Sequence, residues 1–201
     1  MHSLQLKKFH LLGHSFGGII AYEYAKAHAQ DSGEECISLT LNSTPSSMKM
    51  SLEECSRLEE EVRSELKLTL QDMNEEEATR LVHDVLRRRT ECRLEELPDA
   101  LVTAIKYRGT TFGAEDVASY LASPPCPPSS LPPVLMIRGQ HDFITDKCIE
   151  GWREICNQDP NTKKGIVYRE EVMINCSHYC HLEDARSFGD LIKSHCFIND
   201  Y

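Results

Sequence analysis

The sequence predicts an α/β fold in which helices flank a mostly parallel sheet and a helical block is inserted between two of its strands. Three observations carry this. Apolar runs of strand length alternate with helical patterns, a glycine-bracketed turn joins the first run directly to a helix, and a long acidic stretch of helical period separates the second run from the third.

Taken in order, Phe9 to Leu12 form a short apolar run ending in Gly13, and Ile19 to Ala27 have a helical pattern, so strand, tight turn and helix follow one another. Cys36 to Leu41 is rich in β-branched and aliphatic residues and closes with Asn42-Ser-Thr-Pro45, which reads as a second buried strand. Two parallel strands around one helix make a βαβ unit.

From Ser51 the chain turns acidic and helical. Ser51 with Glu54 is a capping-box signal, followed by Leu52, Cys55, Leu58, Val62 and Leu66 on one face. Asn74 with Glu77 starts a second helix carrying Leu81, Val82, Val85 and Leu86, and a third begins near Pro98. The basic run Arg87-Arg88-Arg89 sits where positive charge suits a helix C-terminus.

The segment Ser123 to Pro133 holds six of the nine prolines and should return the chain to the sheet as stiff, extended backbone. Val134 to Ile137 is a third strand, and Gly165 to Met173 contains a fourth. Asp146 to Ile155 reads as a helix, as does Glu183 to His195, with Ala185, Phe188, Leu191 and Ile192 inward. The expected division is sheet core over 1–48, a helical cap over 49–122 and the rest of the core over 123–201.

Composition bounds the function classes. A formal net charge of −10 disfavours nucleic acid and anionic membrane surfaces as partners. No apolar run approaches the length of a membrane span, and the residues from Met1 to Lys8 are not expected to act as a secretory signal, since they lack its long apolar stretch. Nine cysteines form an odd set without a disulfide framework, so free thiols in a reducing, cytoplasmic compartment are expected.

The sharpest chemical signal is Gly13-His-Ser15-Phe-Gly17-Gly18, a G-x-S-x-G pattern between a strand and a helix. The glycines on either side permit a tight turn that holds the serine exposed, while the helix start directs N–H groups, that of Phe16 first, at a developing oxyanion. A serine hydroxyl needs a base oriented by a carboxylate. Asp142, in Arg138-Gly-Gln-His-Asp142-Phe, follows the third strand at its C-terminal end, with Asp146 as its rival inside the next helix. His178 and His181 both follow the fourth strand, and His178, in the loop, is the preferred base. Cys176, His178, Cys180 and His181 together resemble a metal site, but no partner ligand pair occurs elsewhere.

With Ser15, Asp142 and His178 in place, the chain resembles the α/β-hydrolase superfamily. The stretches Gly13 to Ala25 and Leu41 to Ser47, with the acidic cap helices, look most like proline iminopeptidases. That resemblance implies an eight-stranded sheet, of which the four strands read here match the last four. It therefore implies an N-terminally truncated chain that lacks the His-Gly loop supplying a second oxyanion donor. It further implies release of an N-terminal residue from a short peptide, with Glu95 and, more loosely, Glu115 holding the substrate's amino group, and no cofactor. An ester, lactone or amide hydrolase, or a non-catalytic binding protein keeping the fold, are the competing expectations.

Overall fold

The computed structural model describes residues 6–28, 35–107, 114–126, 131–156 and 167–200. Four strands, β1 (Lys8–His14), β2 (Glu35–Asn42), β3 (Val134–Gly139) and β4 (Tyr168–Met173), form one sheet in that order. All three pairings are parallel, with Leu11 opposite Leu39, Leu41 opposite Met136 and Met136 opposite Glu170. Each crossover carries helix: α1 (Phe16–Ala27), a helical block, and α6 (Asp146–Cys156).

The two-residue period of the strands divides the core. Leu39, Leu41, Val134 and Met136 pack with Tyr22 and Ala25 of α1 and with Ile149 and Trp152 of α6. Leu135, Ile137 and Met173 belong to a second cluster that Phe188, Leu191 and Ile192 cover. The Tyr22 and Trp152 rings meet edge to face, 4.6 Å apart. Their polar ends are satisfied as well: Trp152 Nε1 donates to the Thr44 carbonyl (2.8 Å) and Tyr22 OH to that of Ser123 (2.7 Å).

The helical block comprises α2 (Met48–Glu65), α3 (Lys67–Leu70), α4 (Glu75–Leu86), a π-helical turn (Arg87–Glu91), α5 (Asp99–Lys106) and a 3-10 turn (Ala114–Val117). Its ends meet: Ser47 bridges Leu121 antiparallel, and Ala122 N donates to the Ser46 carbonyl at 2.8 Å. Asn74 caps α4 as expected, accepting from Glu77 N at 3.0 Å. Of the expected apolar faces, Val62 and Val82 are buried and the others half-buried.

The expected capping box is corrected. α2 begins before it, with Ser47 as the cap accepting from Met50 N, and Ser51 is a buried residue inside the helix. Glu54, instead of reaching back to a cap, is a buried carboxylate contacted by Arg57 (3.1 Å), Lys147 (3.1 Å) and the Thr145 hydroxyl (3.2 Å). The hydrogen bonds from Arg57 lead in holding its pKa below the usual carboxylate range.

The closing helix also departs from expectation. It is broken into α7 (Cys180–Glu183) and α8 (Ala185–Asn199) at Asp184, whose side chain accepts from Ser187 N. Ala185, expected inward, is exposed because the break resets the helix face. Residues 127–130 of the proline-rich segment and 165–166 before β4 lie outside the described residues. Among the described residues no helix is long and apolar enough to cross a membrane.

Leu41 sits at the centre of the sheet with no exposure, whereas Leu68 is 83% exposed. Leu41→Ala should cost about 2–5 kcal/mol of unfolding free energy and Leu68→Ala less than about 0.5 kcal/mol, measured by urea titration. Equal effects would contradict this placement of the core.

Candidate active site

β1 ends at His14 and α1 begins at Phe16, so Ser15 alone makes the turn. Its backbone adopts φ 53°, ψ −122°, a conformation costly for a side-chain-bearing residue and found where a serine is raised above a sheet. The turn is held by Ser15 N donating to the Asn42 carbonyl (2.8 Å) and Gly18 N to that of Ser15 (3.0 Å). A Cβ on Gly13 would overlap the Gly17 carbonyl, and one on Gly18 would overlap the Thr44 side chain. Gly17 faces open space. The crowding that demands glycine therefore falls at 13 and 18, a correction to the symmetric expectation at 13 and 17.

Asp142 follows β3 and is buried, with Oδ1 accepting from His178 Nδ1 at 2.9 Å and from Ile144 N at 2.8 Å. A carboxylate only accepts, so His178 Nδ1 carries the proton and Nε2 presents its lone pair, the form a general base requires. The two loops are also knitted by main chain, Gln140 N to the Met173 carbonyl and His141 N to that of Cys176, both 2.9 Å. Asp146, the rival acid, has a 64% exposed side chain ion-paired with Arg138 (2.6 Å) and Arg153 (3.1 Å) in the first turn of α6.

His178 is itself buried, its ring against Phe143 (4.2 Å) and His14 (4.7 Å). Its amide donates to the Thr90 carbonyl (3.0 Å) and the Tyr179 amide to that of Glu91 (2.9 Å), so the π-helical turn grips the loop that carries His178. Glu183 adds to the grip, accepting from Ser177 N and Arg93 N, both at 2.6 Å. Among the described residues no hydrogen bond joins Ser15 Oγ to His178.

His181 has different work. Asn42 Nδ2 donates to its Nδ1 (3.1 Å), and Asn42 Oδ1 accepts from the Cys180 thiol (3.1 Å), which fixes the amide's orientation. Burial first, then the neighbouring His178, lowers the His181 pKa. Burial pushes the Cys180 thiol up to about 12, and Cys176 lies in the apolar cluster beneath α8. No group of three or more His, Cys, Asp or Glu positioned to hold a metal occurs among the described residues.

A second hydroxyl-imidazole-carboxylate chain escaped the sequence reading. His10 Nδ1 lies 2.7 Å from Ser38 Oγ and His10 Nε2 lies 3.1 Å from Asp200 Oδ1. Ser38 is 1% exposed, so substrate has no approach to it. The sequence also gives no sign of a role for His14, inside the motif, or for the Thr90 and Glu91 carbonyls, which carry no side-chain signal. Of the residues expected to hold a substrate amine, Glu95 is exposed, and the side chain of Glu115 lies outside the described residues.

Burial, with the nearby His178 and His181 rings, holds His14 down at about 2. The unfolded chain, with an ordinary histidine, binds more protons below about pH 6.5. Stability must therefore fall as pH drops from 7 towards 5, by on the order of 2 kcal/mol from His14 alone. Urea unfolding at both pH values should show a shallower decline for His14→Gln; parallel declines would contradict it.

Comparisons with known proteins agree with this fold. The structure resembles a proline iminopeptidase of Mycobacterium smegmatis at 21% identity and TM-score 0.71, covering 99% of this chain and 68% of that one. It resembles VinJ at 20% identity and TM-score 0.66 (96% and 67% covered), and an esterase of Exiguobacterium antarcticum at 16% and 0.55 (96% and 68%). No curated protein matches the sequence significantly. A family profile described as "Thioesterase domain" matches residues 2–159, well over half of the chain. The chain spans about two thirds of the length of these structures, and it belongs to the thioesterase-domain family of the α/β-hydrolases.

Proposed function

We propose that this chain carries the reactive centre of a serine hydrolase working through an acyl-enzyme on Ser15. The observation that carries the reading is the buried Asp142–His178 pair, 2.9 Å apart, at the sheet edge where Ser15 makes its strained turn. His178 Nε2 takes the Ser15 proton as Oγ bonds to the substrate carbonyl carbon, and the N–H of Phe16, first in α1, faces the oxyanion. The proton then passes to the leaving group as its bond to carbon breaks. A water, deprotonated by the same imidazole, attacks the acyl-enzyme and frees the acid product and Ser15. Asp142 holds the tautomer throughout.

The substrate class proposed is an acyl thioester or ester, supported by the thioesterase-domain match. A second reading, an aminopeptidase of the proline iminopeptidase type, is supported by the likeness in fold over 99% of the chain. It would seat the substrate's ammonium on Glu95 and Glu115, and the exposure of Glu95 favours it less, because a solvated carboxylate pairs weakly.

A fluorophosphonate probe should label the wild-type chain and not Ser15→Ala. Asp142→Asn, which reverses the tautomer, should lower turnover by about 10²- to 10⁴-fold. Comparing kcat/KM for acyl thioesters, nitrophenyl esters and proline arylamides separates the two substrate readings. A chain that binds these compounds yet never labels at Ser15 would be a binding protein, and the hydrolase proposal would fail.

A further inference from the structure

We infer that His14 is a positioning residue: the Nε2–H it donates to the His178 carbonyl fixes the base loop on the nucleophile turn and so sets the separation of Ser15 and His178. The inference rests on the roles proposed for Ser15 and His178.

His14 Nε2 lies 3.0 Å from the His178 carbonyl oxygen. A carbonyl only accepts, so Nε2 is protonated and Nδ1 is bare. Two other bonds hold the backbone of the same residue: Ser43 Oγ donates to the same carbonyl at 3.1 Å, and His178 N donates to the Thr90 carbonyl. Those originate at the end of β2 and in the helical block. The His14 bond is the one that begins next to Ser15, so a shift of the base loop relative to the nucleophile must stretch it.

The ring is wedged. It lies 4.7 Å from the His178 ring, 4.6 Å from that of His181 and 5.1 Å from that of Tyr179, and such packing removes rotameric freedom. These rings, with Asp142 behind His178, are the titratable groups that face it. Histidine also suits the electrostatics of turnover. His178 becomes an imidazolium when it takes the serine proton, and a cationic neighbour would oppose that step. A lysine at 14 would bring such a charge. The buried His14 donates while staying neutral.

Two variants separate donor from packing. His14→Phe keeps the ring and loses the donor; His14→Gln loses the ring and keeps an amide donor. With the fluorophosphonate probe, the maximal inactivation rate of the Phe variant should fall about 10- to 100-fold with the half-saturating probe concentration unchanged, since misplacing a base by about an ångström costs that order. The Gln variant should recover most of the loss, and urea unfolding at pH 7 confirms that both are folded. A Phe variant as fast as wild type, or a Gln variant as slow as Phe, overturns the inference.

Failure of the serine reading is told apart by the wild type not labelling at Ser15. In that event the ¹⁵N spectrum of the His14 ring decides independently of activity. A neutral ring protonated at Nε2 from pH 7 to pH 5 is expected. Protonation at Nδ1, or titration within that range, overturns it.

Discussion

A carboxylate removed from water is stable only where donors replace its hydration, and Asp142 is such a group. One of its oxygens collects both the His178 ring and the Ile144 amide, while the other, Oδ2, is buried with no partner among the described residues. The side chain is therefore committed to a single direction. Losing the imidazole would strand the charge, so the loops after β3 and β4 are bound to each other through the carboxylate as well as through their main chain. The tautomer of His178, the register of the two loops and the open lone pair at Nε2 all follow from that commitment.

The parallel sheet explains why the pair and Ser15 share one edge. Every strand runs the same way, so the turn after β1 and the loops after β3 and β4 gather at one edge. The contrast with Ser38, His10 and Asp200 is instructive. Those three touch in sequence as a triad would, yet Ser38 lies within β2 beneath its neighbours, while Ser15 stands on a turn. The Ser38 set even has the hydroxyl–imidazole contact that Ser15 and His178 lack, so contacts alone would choose the wrong set; the places on the strands separate them.

Much of this was legible in the residues. The strand-turn-helix context of Gly13 to Gly18 located the tight turn at Ser15, and the position of Asp142 after a buried strand separated it from Asp146, because a helix's first turn claims the latter for Arg138 and Arg153. What escaped was tertiary. Ser51 and Glu54 have cap spacing, but Ser47 begins the helix one turn earlier and Glu54 is claimed by Thr145, just before α6, and Lys147 within it, 91 and 93 residues away in sequence. Asp184 interrupts what periodicity reads as one helix, since its own side chain caps a new one. Gly18 resembles an ordinary helix-start glycine until Thr44 of the neighbouring strand end is brought against it.

The π-helical turn has a consequence for recombining parts of this fold. It holds the His178 and Tyr179 amides with peptide carbonyls, those of Thr90 and Glu91, so the requirement falls on backbone spacing rather than on residue identity. These two bonds make no direct demand on the side chains at 87–91, which have other tasks: Thr90 is buried and Arg89 pairs with Glu65 at 2.7 Å. A single-residue deletion there would rotate both carbonyls away. Chimaeras that exchange the whole block should accordingly be matched by length across this stretch, and alignments scored on amino-acid similarity would miss the boundary that matters.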